Sequence, residues 1–382
     1  MSRLHALPAL MLALVSTAFG AGDLVFSLPT ENKALFENRP GDFFMYCDRT
    51  FEGEKTQPWE AGTYGMVRNP FRAGDGSVMY SRFHEGIDVK PLHRDDAGEP
   101  LDEVHPMAPG TVVHASAVAR DSNYGCYVVV AHEVPEGTIY TLYAHLAAVS
   151  CQAGQAVGTG DVLGRLGHTG VGLDRVRSHL HTEVCLMLNS AYGQSTTPAA
   201  NKHGNYNGMN LAGMNPADVL AVCKDGAPFS LTRYFATLQE HYRVRVPCVG
   251  TMDLLHRHPF LYKGDWNVRP VSLDIAFTAE GLPIAAYPGT EPVTQPKIIS
   301  CRPMPTVQQN CTVNRVKNSS KDAALTVSGL NYMKNLLYIP GMEPPAAAPA
   351  AKSAAKPAAK PAAKPAAKAP ARKQPAKGAR RK

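Results

Sequence analysis

The sequence predicts a mainly β protein: an antiparallel sheet of sandwich or barrel-like form, with a small C-terminal α+β appendage and a disordered basic tail. Three observations lead there. From residue 62 to 189, short β-branched and aromatic runs are punctuated by Gly, Pro and Asp about every 8–12 residues, the spacing of an all-β sandwich or barrel. Beyond Asn189, stretches of helical spacing alternate with further strands. After Glu343 the chain is almost entirely Ala, Pro, Lys and Arg, a composition that cannot supply a core.

Residues 1–21 read as an export signal. Arg3 and His5 form a weakly basic start, residues 7–15 an apolar run, and Ala18-Phe19-Gly20-Ala21 offers small residues for cleavage. The run is short for a membrane span, which leaves an uncleaved anchor as the alternative. No later segment approaches about 18 uninterrupted apolar residues, so an exported, soluble chain is expected, in the periplasm, outside the cell or at the cell wall. Residues 22–61 carry few signals, although 43–46 suggest a short buried strand. Residues 63–68 and 78–80 read as strands around the turn Ala73-Gly74-Asp75-Gly76. A polar loop follows at 94–100, and Pro109-Gly110 punctuates the strand to His114. Residues 127–132 and 139–146 are β-branched runs separated by Pro135-Glu136-Gly137, and 157–166 carry glycines at turn-like spacing. A strand is expected over 176–188 and a long surface loop over 190–215.

Asn215-Pro216-Ala217-Asp218 opens a short helix to Val222, and 230–242 place Leu231, Tyr234, Phe235, Leu238 and Tyr242 close to helical spacing. Residues 266–340 return to alternation, with Leu273, Ile275 and Phe277, before a last helical piece at 329–337. The division expected is a central domain over 62–190, a loop and short helix over 191–224, an appendage over 225–340 and a tail over 344–382.

The net charge of +7 misleads. Eleven lysines and arginines follow Glu343 with no acid among them, which leaves the rest at about −4. The Lys-Pro-Ala-Ala repeats of the tail place proline at every fourth position, which forbids a stable helix. Such a segment suits loose contact with anionic wall polymers or a membrane surface, or simply solvation. Nucleic-acid binding rests on the tail alone, and export argues against it. The eight cysteines of an exported chain suggest disulfides. Connectivity cannot be read from sequence, though Cys301 with Cys311 and then Cys223 with Cys248 are the local candidates.

Chemistry concentrates in two stretches. In a strand, residues two apart share a face, so His179 and His181 present both imidazoles to one side, opposite Leu180, Thr182 and Val184. His84 and Asp88 also match one helical face, but Gly86, Ile87 and Val89 favour strand or strand edge. Three imidazoles and one carboxylate are therefore candidates for a divalent metal, read as zinc. Among 14 histidines, chance pairs exist, and a lone one is usually a surface or satisfied core residue. The combination with Leu142-Tyr143-Ala144-His145 at a strand end raises these five above that background. A catalytic zinc needs few protein ligands and an open position for water.

These pieces, in this order, resemble the lysostaphin-type (LytM-like) zinc metalloendopeptidases that cut peptidoglycan. The matching residues are Phe83-His84-Glu85-Gly86-Ile87-Asp88, Ala108-Pro109-Gly110-Thr111-Val112, Leu142-Tyr143-Ala144-His145-Leu146, Gly154-Gln155-Ala156-Val157 through Gly164, Gly167-His168-Thr169-Gly170, and His179-Leu180-His181-Thr182-Glu183. The resemblance covers roughly a third of the chain. It implies a duplicated, hybrid-motif-like β domain, His84, Asp88 and His181 as zinc ligands, His145 and His179 as the catalytic pair, and peptidoglycan peptides as substrate. Thr182 departs from the family's usual aromatic residue, and inserts at 94–103 and 172–177 are longer and charged. Because some relatives have lost activity, a catalytically idle wall-binding scaffold or activator is the alternative. A biotinyl-type carrier is excluded, since no lysine lies between Cys151 and Gly172.

Overall fold

The computed structural model describes residues 24–341, apart from 198, 249, 251, 304–311 and 319–321. The expected signal segment, the basic tail and Cys311 lie outside the described residues. The fold is mainly β, as its turn spacing predicts. Its organising strand is Leu180–Met187, every residue of which is buried. A strand hidden on both faces must be covered on both, and its sequence divides accordingly. Leu180, Val184 and Leu186 enter the main core with Val128, Val130, Tyr143 and Leu146, whereas Cys185 and Met187 join Tyr127, Val129, Leu142 and Ala144 in a second cluster.

That strand sits within a seven-stranded antiparallel sheet ordered Ala156–Val157, Gly110–Ser116, Cys126–Val134, Gly137–Leu146, Leu180–Met187 and Leu211–Met214. Ile87–Val89 pairs with the same edge of the organising strand as Leu211–Met214, one after the other along its length. The register sets His181 opposite Asp88 on one side and Ala144 on the other. A slip of one residue would turn both imidazoles to the opposite face, so burial of the two faces holds the register. A long hairpin, Gly65–Arg72 with Val78–His84, delivers His84. A small sheet of Glu103–Val104, Gly164–Arg165 and Ala148–Val149 packs nearby.

The C-terminal part holds a four-stranded antiparallel sheet ordered Pro283–Pro288, Ser272–Phe277, Tyr242–Pro247 and Lys297–Cys301. Helices Pro216–Cys223, Leu231–Thr237 and Val327–Leu336 begin at Asn215, Ser230 and Thr326, whose side chains accept from backbone N–H groups of their first turns. Val244, Ile275 and Phe277 belong to the same continuous core as Val130 and Val184. Among the described residues no helix is long and apolar enough to cross a membrane.

Several local expectations change. Residues 43–46 end the short helix Pro40–Phe43 and make one bridge, Phe44 with Val89, rather than a strand. The helical reading of 230–242 stops at Thr237, and Tyr242 begins a strand whose outward Arg243 and Arg245 pair with Glu240 and Asp274. The expected surface loop at 190–215 contains short 3-10 turns and the strand Leu211–Met214, and it covers the second cluster through Tyr206 and Leu211. Of the two expected local disulfides, Cys301 with Cys311 involves a residue outside those described, and Cys223 with Cys248 is corrected: both are thiols, and no described cysteine pair is bridged. Cys223 is held in the core at its helix end, while the Cys248 Sγ faces the Gly250 carbonyl.

The turn between His84 and Ile87 passes so close to the organising strand that only glycine fits. A Cβ on Gly86 would lie 2.2 Å from the Thr182 carbonyl oxygen and 2.9 Å from the Glu183 side chain. Gly86→Ala is therefore expected to push His84 and Asp88 away from His181. Thermal unfolding should show a loss of about 1–3 kcal/mol, as for other overpacked sites.

Candidate metal centre

The structure brings all five sequence-predicted residues around one point. The three proposed ligands are almost fully buried, and they arrive from different elements. His84 ends the hairpin, Asp88 lies in Ile87–Val89, and His181 lies in the organising strand. The His84 Nε2, Asp88 Oδ1 and His181 Nδ1 atoms are mutually 3.0 Å apart. His179 precedes the organising strand in a bridge with Gly167 and sets its Nε2 3.4 Å from the same Asp88 oxygen. The His145 ring centroid is 5.1 Å from that of His179 and 5.8 Å from that of His181.

The far nitrogen of each imidazole decides what the near one can do. His84 Nδ1 donates to the Thr63 carbonyl at 2.7 Å, so its Nε2 carries the lone pair. His181 Nε2 donates to the Glu183 carboxylate at 2.9 Å, so in the neutral ring, the form that binds a metal, Nδ1 carries the lone pair. His145 Nδ1 and His179 Nδ1 donate to the carbonyls of Thr169 at 2.8 Å and Arg177 at 2.7 Å. Four histidines are thus fixed as tautomers by carbonyl or carboxylate partners, the arrangement that orients metal-binding imidazoles.

Asp88, His84 and His181 form the group of His, Cys, Asp and Glu side chains, among the described residues, able to hold a metal ion. Tetrahedral zinc with bonds of about 2.0–2.1 Å places its donors roughly 3.3 Å apart, near the spacing observed. The donor set, two neutral imidazoles and one carboxylate oxygen, is also that of zinc hydrolases with an open position. The residues fit the ion.

Electrostatics point the same way. Burial opposes charge on His181, but Asp88 and Glu183 on its two nitrogens outweigh this and raise its pKa to about 10. Burial likewise opposes the Asp88 carboxylate, yet His179, His84 and Arg68 hold its pKa well below the usual range. The pocket attracts positive charge at the point where the three donors meet. Burial, then His179 and His181, push His145 well below the ordinary histidine value, so its ring is neutral.

Sequence reasoning did not assign some of the residues that complete the centre. Arg68 pairs with Asp88 Oδ2 and donates to the Ala61 carbonyl at 2.8 Å, leaving only Oδ1 facing the histidines. Its position in the hairpin gives no local signal. Glu183 also receives the Tyr124 hydroxyl at 2.7 Å and the Cys185 thiol at 3.2 Å. It lies two residues beyond His181, so the same alternation that placed His179 with His181 puts it on that face.

Residues 82–194 match the model of peptidase family M23. Comparison with curated proteins gives no match. Among solved structures, a candidate glycyl-glycine endopeptidase, lytM, from Ruminococcus gnavus is 23% identical over 38% of this chain and 49% of its own, with a TM-score of 0.26. A zinc-containing peptidase from Vibrio cholerae is 21% identical over 42% of this chain and 36% of its own, with a TM-score of 0.25. The catalytic domain of lysostaphin from Staphylococcus simulans is 17% identical over 50% of this chain and 99% of its own, with a TM-score of 0.27. The chain thus spans about half of the first of these and about a third of the second. The match to peptidase family M23 thus lies on the segment that carries His84, Asp88, His145, His179 and His181.

Proposed function

We propose that this protein is a zinc-dependent endopeptidase that hydrolyses peptide cross-links of bacterial peptidoglycan outside the cytoplasm, with the basic tail in loose contact with anionic wall polymers or membrane. The observation that carries the reading is the convergence of His84 Nε2, Asp88 Oδ1 and His181 Nδ1 at 3.0 Å from one another, with two further imidazoles beside them. His84, Asp88 and His181 would hold the ion. When bound, zinc supplies Lewis acidity and lowers the pKa of coordinated water towards neutrality.

The chain's own groups do the rest. His145 and His179, each with its Nδ1–H committed to a carbonyl, offer Nε2 as proton acceptor and later as donor to the leaving amine. Once protonated, the same imidazoles become hydrogen-bond donors to the developing oxyanion. Arg68 keeps Asp88 ionised and in a single orientation. Glu183, held by Tyr124, keeps the His181 ring turned with Nδ1 inward.

Mass spectrometry of peptidoglycan digests of known chemotype, with and without a chelator, tests this function. Chelator-sensitive release of cleaved stem or bridge peptides is the expected result. Intact cross-links throughout would instead leave an idle wall-binding relative. His181→Ala should lose bound zinc, as read by metal analysis of the purified chain, and retained zinc would overturn the ligand assignment. His145→Ala should keep zinc but lose about 10²–10⁴ in turnover, the range for a positioned acid or base. Glu183→Gln should weaken zinc binding about 10–100-fold, the usual effect of losing a partner behind a metal ligand, measured by competition with a chromophoric chelator.

A further inference from the structure

The two inserts at 94–103 and 172–177 meet, and their contact bears on His179. The Arg94 guanidinium donates to the carbonyls of Gly98 and Arg175, each at 2.8 Å, to that of Val176 at 3.3 Å, and reaches the Ser178 hydroxyl at 3.5 Å. The loop that carries Arg94 is itself braced. Asp95 Oδ1 accepts from Ala97 N at 2.9 Å and Glu99 N at 2.8 Å, while Asp102 accepts from the N–H groups of Leu92 and His93 at the loop's base. On the other insert, the Arg175 carbonyl also accepts from Ser178 Oγ at 2.6 Å and Ser178 N at 3.2 Å. Asp174 Oδ1 receives Arg177 N at 2.9 Å. The result is a tight turn over 174–178 whose next carbonyl, that of Arg177, receives Nδ1–H of His179. A second link, His168 Nε2 to Glu99 Oε2 at 3.0 Å, ties the 94–103 insert to the stretch that leads into the other insert.

We propose that Arg94 is a positioning residue for His179: by clamping the carbonyls of Arg175 and Val176 it fixes the turn whose Arg177 carbonyl sets the tautomer and aim of the His179 ring. No other cation among the described residues is recorded on these two carbonyls, and the planar fork of arginine suits several acceptors at once where a lysine ammonium is a single point. The side chain is exposed and makes no contact with the three metal-ligand candidates, so its influence passes through the turn. The inference rests on the reading of His179 as a proton-transfer group, and deepens it by tying the charged insert to that group's geometry.

The test uses the full chain loaded with zinc, as Arg94→Ala and Arg94→Lys. Metal content, melting temperature, kcat and KM on cross-linked muropeptides, and the ring 15N shifts of His179 are measured together. Arg94→Ala is expected to keep one zinc per chain, to lower kcat on the order of 10–100-fold, as small misplacements of reacting groups do, and to leave KM within about threefold. The His179 shifts should move from a single Nδ1–H tautomer to averaged values, a signature that a purely structural role for Arg94 would not produce. Arg94→Lys should share the defect. Wild-type kcat with an intact Nδ1–H signature in Arg94→Ala overturns the proposal. If that variant does not fold, the same outcome in Arg94→Lys, which keeps length and charge, overturns it. Absence of chelator-sensitive turnover in the unsubstituted protein defeats the hydrolase reading instead, and the His179 shifts then judge Arg94 on their own.

Discussion

Three lone pairs converge on a space that only a cation can stabilise. His84 Nε2, Asp88 Oδ1 and His181 Nδ1 are each 3.0 Å from the other two, and the hydrogen bonds behind the rings commit the one proton of each neutral imidazole elsewhere, so that on His181 any second proton sits on Nδ1, where a metal would replace it. Acceptors packed this closely in a buried site repel unless a proton or metal lies among them. The neighbouring structure reads as a set of devices that keep this arrangement from relaxing. Arg68 ties down the outer carboxylate oxygen, the Thr63 carbonyl holds one ring, and Glu183 holds the other. A buried carboxylate such as Glu183 is itself costly, and three donors, from His181, Tyr124 and Cys185, offset that cost.

The backbone makes the convergence possible through pairing rather than through sequence proximity. His84 and His181 are 97 residues apart, yet antiparallel pairing of Ile87–Val89 with the organising strand sets Asp88 opposite His181. His145 reaches the same point by a different route. It stands at the end of Gly137–Leu146 with φ at 64°, the left-handed region that non-glycine residues seldom occupy. Its amide donates to the Tyr124 carbonyl at 2.8 Å and its ring to Thr169, so surrounding bonds hold a conformation the residue would not choose alone. Strain of this kind is tolerated where a side chain must be aimed, and here it points the ring towards the other histidines.

What could be read from sequence was what alternation encodes. His179, His181, and by the same rule Glu183, share a face because a strand repeats every two residues, and Gly86 with Ile87 and Val89 favours a strand over a helical reading of His84 and Asp88. What could not be read depends on backbone atoms or distant pairing: the carbonyls of Thr63, Thr169 and Arg177, and the Arg68 guanidinium. The stretch at 190–215 misled for a definable reason. Its asparagines suggest a surface loop, but Asn210 is fully buried and its side chain bonds Asn189 N at 3.0 Å, Asn189 O at 2.8 Å and Asn205 O at 2.9 Å. Amide side chains there replace the ladder of a sheet, and composition cannot distinguish that use from solvation. The strand Tyr242–Pro247 was hidden by its charged outward positions, whose arginines pair with acids on neighbouring segments.

The histidines divide by how they are supported, and that division has a functional consequence. His181 is backed by Glu183 on the buried strand itself, and His84, which ends the hairpin, by the carbonyl of Thr63 two residues before that hairpin begins. His145 and His179 are backed by the carbonyls of a connecting loop, whose near end is tied to the sheet by the Thr169 hydroxyl and whose far end leans on another insert. Groups on regular elements are held more tightly than groups on loops. The three proposed ligands are thus less exposed to changes in the loops, while the pair proposed to move protons shares a wall with the segments in which this chain departs most from the family it resembles. Under the proposed function, a change in those segments would therefore alter rate and substrate fit without dismantling the site that would bind the ion.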